Sequence, residues 1–199
     1  MKTTTLSILI SLFVAHAALS QQALVSTKGK ATSPVSAASA LKAPASTDFH
    51  KMLARSNGAW TGEATMTFAP DTPPITSTST LTNTMVMGGL YQVSEVKWNI
   101  RGKLLTGVRT TGYDATKKVF TRAMIQDGGN GVAMEGPWDE ASKSFSMRYK
   151  QNNSAGIEED MKEVYTIVNE DTEILEIYRL DPTTKKESRI LRVKWTRDK

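Results

Sequence analysis

The chain has no cysteine and only two histidines in 199 residues. The absence of cysteine excludes disulfide scaffolds, zinc–thiolate sites, iron–sulfur clusters and thiol nucleophiles. His16 directly follows an apolar N-terminal run, and His50 precedes every predicted strand. A Ser-His-Asp triad, or a zinc site held by histidines, would need an imidazole that the predicted strands do not supply. Catalysis by carboxylates, or binding without catalysis, remains, and we predict no metal site.

Acidic residues are absent from the first 47 positions. The net charge is +5, but four of the 25 basic residues precede residue 48 and all 20 acidic residues follow it. Residues 48–199 therefore carry a net charge of about +1. Because nucleic-acid binding needs a basic face on the folded domain, we expect no nucleic-acid partner.

Long hydrophobic runs are also lacking. Leu6–Ala15 is too short to span a bilayer core of about 30 Å at 1.5 Å per helical residue. The run follows Lys2 and precedes two small-residue patterns, Ala15-His16-Ala17 and Ala18-Leu19-Ser20, as in a secretory signal peptide. We predict that residues 1–20 are removed on export to the periplasm or the exterior. The mature chain, starting at Gln21, then has no transmembrane segment.

Residues 21–47 are dominated by alanine, serine, threonine and proline, and contain no acid and no aromatic. Such a segment buries too little apolar surface to offset its chain entropy. The sequence predicts a disordered linker over 21–47 and a folded domain over 48–199.

The folded domain begins with a helical pattern. Phe49, Met52 and Leu53 fall on one helical face, after an N-cap at Thr47-Asp48 and before a stop at Asn57-Gly58. These signals predict a helix of about two to three turns.

Everything after this helix has the period of β-strands. Apolar and polar residues alternate, as in Trp60, Gly62, Ala64 and Met66. Three connections share a chemistry, with Asp114, Asp139 or Asp181 first and a lysine at the exit, which favours tight turns closed by the aspartate. The ten predicted strands are 60–68, 75–86, 91–99, 103–112, 118–126, 132–138, 144–150, 161–168, 173–180 and 188–197.

Ten short strands joined in order by hairpins favour an all-β, up-and-down antiparallel barrel, because closure removes the edges of the sheet. A two-sheet sandwich is the alternative. Gly58-Ala59-Trp60 opens the first strand and Arg197 ends the last, which resembles the lipocalin, or calycin, arrangement. That resemblance implies that Trp60 plugs one barrel end beneath Arg197 through a cation–π contact.

A closer resemblance, to the family called domain of unknown function 1579, covers roughly residues 48–199. Two features depart from its pattern: Met124 stands where the family has an aromatic residue, and Gly128–Gly131 is unusually rich in glycine. The resemblance implies the barrel fold and no particular activity. The matching residues are Gly88-Gly89-Leu90-Tyr91, Gly102, Gly107, Gly112-Tyr113-Asp114, Asp127, Gly136, Trp138-Asp139 and Trp195-Thr196-Arg197.

The nitrobindin-like barrels are similar to this fold as well, but they ligate haem through a barrel histidine. No predicted strand here contains a histidine. We therefore expect no cofactor.

Methionines stand out among the residues of the apolar strand faces. Met66, Met134, Met147 and also Tyr149 lie on these faces in three different strands. Methionine adapts its shape to varied ligands, although it also fills ordinary cores. Arg109 shares a strand face with Leu105 and Gly107, which makes it a candidate polar anchor.

Glu176 shares a strand face with Ile174 and Tyr178 and is a second candidate anchor. If it points inward it needs a cation, such as Arg109 or Arg192, to offset its desolvation. Such a glutamate is either a structural ion pair or a general base. We nominate no other catalytic residue, because Asp114, Asp139 and Asp181 are explained as turn formers.

These observations favour a secreted or periplasmic protein that binds a small hydrophobic or amphipathic ligand in a barrel cavity. Two alternatives stay open. One is a carboxylate-based enzyme acting on a small molecule. The other is a tethered interaction module with a solid barrel. The sequence does not determine the oligomeric state.

Overall fold

A computed structural model of the chain describes residues 45–67, 72–127, 131–153 and 155–199. The predicted signal peptide and nearly all of the predicted linker lie outside these residues. Within these ranges, one helix, α1 (Asp48–Arg55), precedes the strands. The strands are β1 (Gly58–Met66), β2 (Ile75–Val86), β3 (Tyr91–Ile100), β4 (Lys103–Asp114), β5 (Val119–Gln126), β6 (Gly131–Gly136), β7 (Trp138–Asp139), β8 (Ser144–Asn152), β9 (Glu158–Asn169), β10 (Thr172–Leu180) and β11 (Glu187–Arg197).

The strands form a closed antiparallel barrel. Sequence neighbours pair from β1 through β6 and from β7 through β11, and β1 also pairs with β11. Pairing between β6 and β8 completes the ring. Since β6 and β7 are separated by Pro137 alone and both pair with β8, they act as one interrupted strand in a ten-stranded barrel. The predicted barrel is confirmed, and the sandwich is not formed.

A glycine makes the closure possible. A Cβ at Gly136 would lie 1.8 Å from the backbone oxygen of Ser146, so any side chain here would force β6 and β8 apart. The Ser146 amide donates to the Pro137 oxygen at 3.3 Å across the same junction. The pairing of β6 with β8, which closes the barrel, therefore requires glycine at position 136.

The three aspartate-led turns share the expected geometry. The Asp114 carboxylate accepts the amides of Thr116 and Lys117, and Asp139 and Asp181 bond their own loops in the same way. The fifth residue of each loop, Lys118, Lys143 or Lys185, has a positive φ. A single residue in the left-handed conformation at this position completes each hairpin turn. These three carboxylates are occupied by turn formation.

One barrel end, called the helix end below, is closed by α1, Trp60 and Arg197. The Trp60 indole is fully buried and donates to the Ser56 oxygen at 3.0 Å. The Arg197 guanidinium lies 4.2 Å from the centre of the Trp60 ring and donates to the oxygens of Arg55 and Asn57. Arg197 thus holds the C-terminal turn of the helix over the indole, as the lipocalin resemblance implied.

His50, on α1, is almost fully enclosed. It is only 4% exposed, because the helix turns this face toward Tyr113. The His50 Nδ1 accepts the Thr47 amide at 3.0 Å, as the third residue of a capping box does. The acceptor role requires the neutral ring, and burial lowers the pKa of His50.

The buried neutral histidine predicts a loss of stability on mild acidification. Because the His50 pKa is lower when folded than when unfolded, the unfolded chain binds the proton first as the pH falls below about 6.5. The contribution is therefore present at neutral pH and disappears as the pH falls through the folded pKa. We expect His50→Gln, which keeps a capping acceptor but does not titrate, to flatten the decline in unfolding free energy between about pH 7.5 and 5.5. Parallel profiles for the two proteins would contradict this role.

The serine- and threonine-rich strand β2 leaves less open space than its composition suggests. Ser79 faces inward, and its hydroxyl donates to the Gly62 oxygen at 3.3 Å. The Trp195 ring lies against Gly62, where an added Cβ would come within 2.5 Å of it. Small residues in β1 and β2 thus accommodate the large Trp195 side chain from β11.

Candidate functional site

Among the described residues, four charged side chains point into the barrel. Arg109, Arg122, Glu163 and Glu173 are each 4% exposed or less and come from β4, β5, β9 and β10. Their strands alternate as the barrel requires, which places these residues on the same inward face as the apolar core. Desolvating four ionisable groups is costly unless they are paired. Whether each group has a bonded partner therefore distinguishes charges that stabilise the fold from charges that are free to bind a ligand.

Arg122 and Glu163 satisfy each other. The Arg122 Nη1 donates to Glu163 Oε1, and its Nε donates to the Thr111 hydroxyl at 3.0 Å. The guanidinium also lies over the rings of Phe145 and Tyr165, at 5.1 and 5.0 Å from their centres. This buried pair is neutral as a unit and holds β5 against β9 across the barrel.

Arg109 lacks such a partner. It is 2% exposed, and within the described part of the chain its Nε–H has no hydrogen-bond acceptor. The Tyr165 ring lies 5.7 Å from its guanidinium carbon, while Glu163 and Glu173 attract it only through space. Burial and the neighbouring charge of Arg122 lower the pKa of Arg109. Because arginine stays protonated in proteins, the site holds a cation without a bonded anion.

Glu173 is held by a phenol. The Tyr165 hydroxyl donates to Glu173 Oε2. Burial raises the pKa of Glu173, and it raises the pKa of Tyr165 as well. The nearest ionisable groups are thus the Arg122–Glu163 ion pair, the Glu173 carboxyl group bonded by Tyr165, and the guanidinium of Arg109.

Other inward donors resemble Arg109 in lacking an acceptor. The indole Nε1–H groups of Trp98 and Trp195 are buried and unpaired among the described residues. Buried polar groups nearly always find a partner, so unpaired donors at a barrel interior mark a place where an acceptor is missing. The buried Oδ1 of Asn83, on β2, has no donor among the described residues either, so the unpaired inward atoms include an acceptor as well as donors.

The predicted methionine wall faces inward. Met66, Met134, Met147 and Tyr149 are all buried, and all but Met66 belong to the main hydrophobic cluster. In the strand register Met124 is paired with Arg109, and Met134 with Arg122. Burial raises the pKa of Tyr149, which keeps its hydroxyl neutral.

Glu176 is not an inward anchor. It lies on the outer face of β10, where its Oε1 accepts Arg189 Nη1 at 2.7 Å and lies 3.5 Å from Arg192 Nε. Both arginines belong to β11 and are substantially exposed. Arg192, the cation proposed for an inward Glu176, therefore meets it outside the barrel.

A separate cleft of about 460 Å³ lies beside α1 at the helix end. Phe49, Met52, Trp138 and Val168 supply apolar wall, and Glu173 reaches it from the barrel side. Trp138 Nε1 donates to Glu140 at its rim. Glu173 thus links the cleft to the charged interior.

Arg122, Glu163 and Glu173 were not nominated from the sequence, although a signal was present. Arg122 stands between Phe120 and Met124, and Glu163 between Met161 and Tyr165. A charge on the apolar phase of a strand indicates a buried polar group. The β10 strand is apolar on both phases, so its pattern could not separate Glu173 from Glu176.

The described residues thus define a closed ten-stranded antiparallel barrel with a charged interior and a helix at one end. The chain belongs to the family described as "Protein of unknown function (DUF1579)", whose family model matches residues 45–197.

Among solved structures the chain is similar to Rv2717c from M. tuberculosis, with a TM-score of 0.55 and 10% sequence identity. The similarity covers 75% of this chain and 96% of that one, and at this identity it concerns the fold alone. A search of curated proteins finds no significant match. Among the described residues, no helix is long and apolar enough to cross a membrane.

Proposed function

We propose that the barrel binds a small amphipathic molecule, with Arg109 as its polar anchor. The observation that carries the proposal is Arg109, a residue that is only 2% exposed and whose Nε–H has no acceptor among the described residues. A fold that needed Arg109 only for stability would bond it, as it bonds Arg122. A buried cation without a bonded anion lowers the stability of the fold, and such a cost is typical of a residue that binds a ligand.

The apolar part of the ligand is accommodated by methionines. Met124 is paired with Arg109 in the register, and Met134 and Met161 belong to strands of the same barrel half. Methionine has three rotatable bonds and repacks around varied shapes. The combination of one charged anchor and an adaptable apolar wall is typical of small-molecule sites.

A neutral, environment-sensitive dye such as N-phenyl-1-naphthylamine tests the proposal. We expect saturable fluorescence enhancement on titrating the folded full-length chain. Met134→Trp should reduce it strongly, because the larger ring occupies the interior beside Arg122. Ala133→Trp is the matched control, since Ala133 is exposed on the outer face of the same strand.

Two outcomes would contradict an interior site. One is the absence of saturable enhancement with folded protein. The other is equal enhancement with Met134→Trp and Ala133→Trp, provided both variants unfold cooperatively. Met66→Trp provides a second filling variant if Met134→Trp does not fold.

We further propose that the protein is exported and acts in the periplasm or outside the cell, from the signal-peptide pattern of residues 1–20. The mass of the mature chain tests this directly. A mature N-terminus near Gln21 supports export, and a full-length chain confined to the cytoplasm overturns it.

A further inference from the structure

We infer that the rim of the helix end carries a second binding site, which takes a small uncharged polyhydroxylated ring such as a hexose. The site is a pocket of about 280 Å³, bounded by the start of α1, the start of β3 and the turn after β4. Pockets for drug-sized ligands measure roughly 300–1,000 Å³, so this one suits a molecule of about one ring. Arg109 does not line it, and the inference goes beyond the proposed function.

His50 is the buried polar group that indicates a ligand here. It lines the pocket, yet it is only 4% exposed. Its Nδ1 accepts the Thr47 amide at 3.0 Å and lies 2.8 Å from the Thr47 hydroxyl. A neutral ring that accepts at Nδ1 carries its proton on Nε2. Among the described residues this Nε2–H has no acceptor, so the imidazole keeps one donor for a molecule in the pocket.

Two tyrosines supply apolar surface. Tyr91 begins β3, Tyr113 lies near the end of β4, and both line the pocket. The Tyr91 ring lies against Gly112, where an added Cβ would come within 2.6 Å of it. The Tyr113 ring packs on Phe49, with 4.4 Å between the ring centres. Packing therefore fixes both rings, and each offers an apolar body with a hydroxyl at its tip.

The turn after β4 contributes an acceptor and a hydroxyl. The Asp114 carboxylate accepts the Lys117 and Thr116 amides through Oδ1, so Oδ2 has no bonded partner among the described residues. These bonds lower the pKa of Asp114, which is therefore ionised at neutral pH. Thr116 and Thr121 add side-chain hydroxyls to the lining. The wall thus combines donors, an anionic acceptor and groups that do both.

This combination disfavours three classes of ligand. None of the described residues that line the pocket is a lysine or an arginine, so an anion would meet Asp114 without a counter-charge. An ammonium offers donors only and would leave the His50 Nε2–H unpaired. An apolar molecule would satisfy neither residue. A sugar ring donates and accepts through its hydroxyls, and its C–H faces pack on the tyrosine rings.

Titration of the full-length chain with glucose, galactose and mannose at constant pH tests the inference. The readout is the imidazole C–H resonance of His50, identified by its loss in His50→Gln, since His16 is the one other histidine in the chain. We expect a saturable shift with at least one hexose. Equal affinity for its methyl glycoside would support the end unit of a glycan, and loss of affinity would support the free sugar.

A tyrosine variant and its control locate the binding. Tyr91→Ala should weaken the affinity for the hexose at least about fivefold, because it removes one apolar face of a 41% exposed residue. Tyr178→Ala should leave the affinity unchanged, since Tyr178 bonds Glu176 on the outer face of β10. If Tyr91→Ala does not unfold cooperatively, Thr116→Val provides the comparison, because it removes a hydroxyl from the exposed turn and keeps the amide bond to Asp114.

Three results would overturn the inference. The first is the absence of a saturable shift with every hexose. The second is equal weakening by Tyr91→Ala and Tyr178→Ala. The third is a saturable shift with tetramethylammonium chloride and with no hexose, which would assign the pocket to a cation. Dye binding in the barrel is measured separately, so none of these results decides the proposed function.

Discussion

Arg122→Met is expected to cost about 3–5 kcal/mol of unfolding free energy. The substitution removes the cation that pairs with Glu163, whose side chain is 1% exposed. The remaining carboxylate must then either stay charged in an apolar interior or take up a proton, and both are unfavourable. Thr111 also loses its bond to the Arg122 Nε. Equilibrium denaturation of the variant at neutral pH measures the loss.

A double variant separates loss of the pair from loss of packing. Arg122→Met together with Glu163→Met removes both charges and restores apolar volume, so we expect most of the stability to return. An equal loss in the single and double variants would mean that the charges do not interact. The buried pair would then not be the structural element described here.

Trp60→Ala is expected to cost about 3–5 kcal/mol. The indole is fully buried, donates to the Ser56 oxygen and lies beneath the Arg197 guanidinium. Its removal leaves a cavity between α1 and the first strand, and Arg197 loses the ring that it covers. Denaturant melts of the wild type and the variant provide the measurement.

Trp60→Phe is the conservative counterpart, since it keeps an aromatic ring below Arg197 and loses only the indole bond and some volume. We expect its cost to lie clearly below that of Trp60→Ala. A loss under about 1 kcal/mol for Trp60→Ala would show that the helix end does not depend on this residue.

The fold was predictable from sequence because its rules are local. The period-two alternation located the predicted strands, and Asp114, Asp139 and Asp181 bond the turns as their sequence suggested. The exception is the interruption at Pro137, because the sequence predicted one continuous strand over Val132–Trp138. Its interruption depends on the close approach of β8 to Gly136, a contact between residues that no local pattern records.

The candidate site was only partly predictable. The methionine face followed from strand phase, and these methionines are buried in the structure. Arg109 was chosen as a candidate, but its direction was not predicted, and the structure places it inward. The outward direction of Glu176 could not be predicted. The β10 strand carries Ile174 and Tyr178 on one face and Leu175 on the other, so the sequence makes both faces look buried. The register of β10 with β9 and β11 decides that Glu173, and not Glu176, points into the barrel. This register is a property of the closed sheet and not of the β10 sequence.

The central claim is that Arg109 is reserved for a ligand and does not serve to hold the barrel together. The most direct test is the unfolding free energy of Arg109→Met, measured beside Arg122→Met on chains freed of bound molecules by unfolding and refolding. Because Arg109 is a desolvated cation with an unpaired Nε–H, we predict that its replacement leaves stability within about 1 kcal/mol of the wild type or raises it, whereas Arg122→Met loses several. A loss of about 3 kcal/mol or more for Arg109→Met would contradict the account and make Arg109 a structural residue like Arg122.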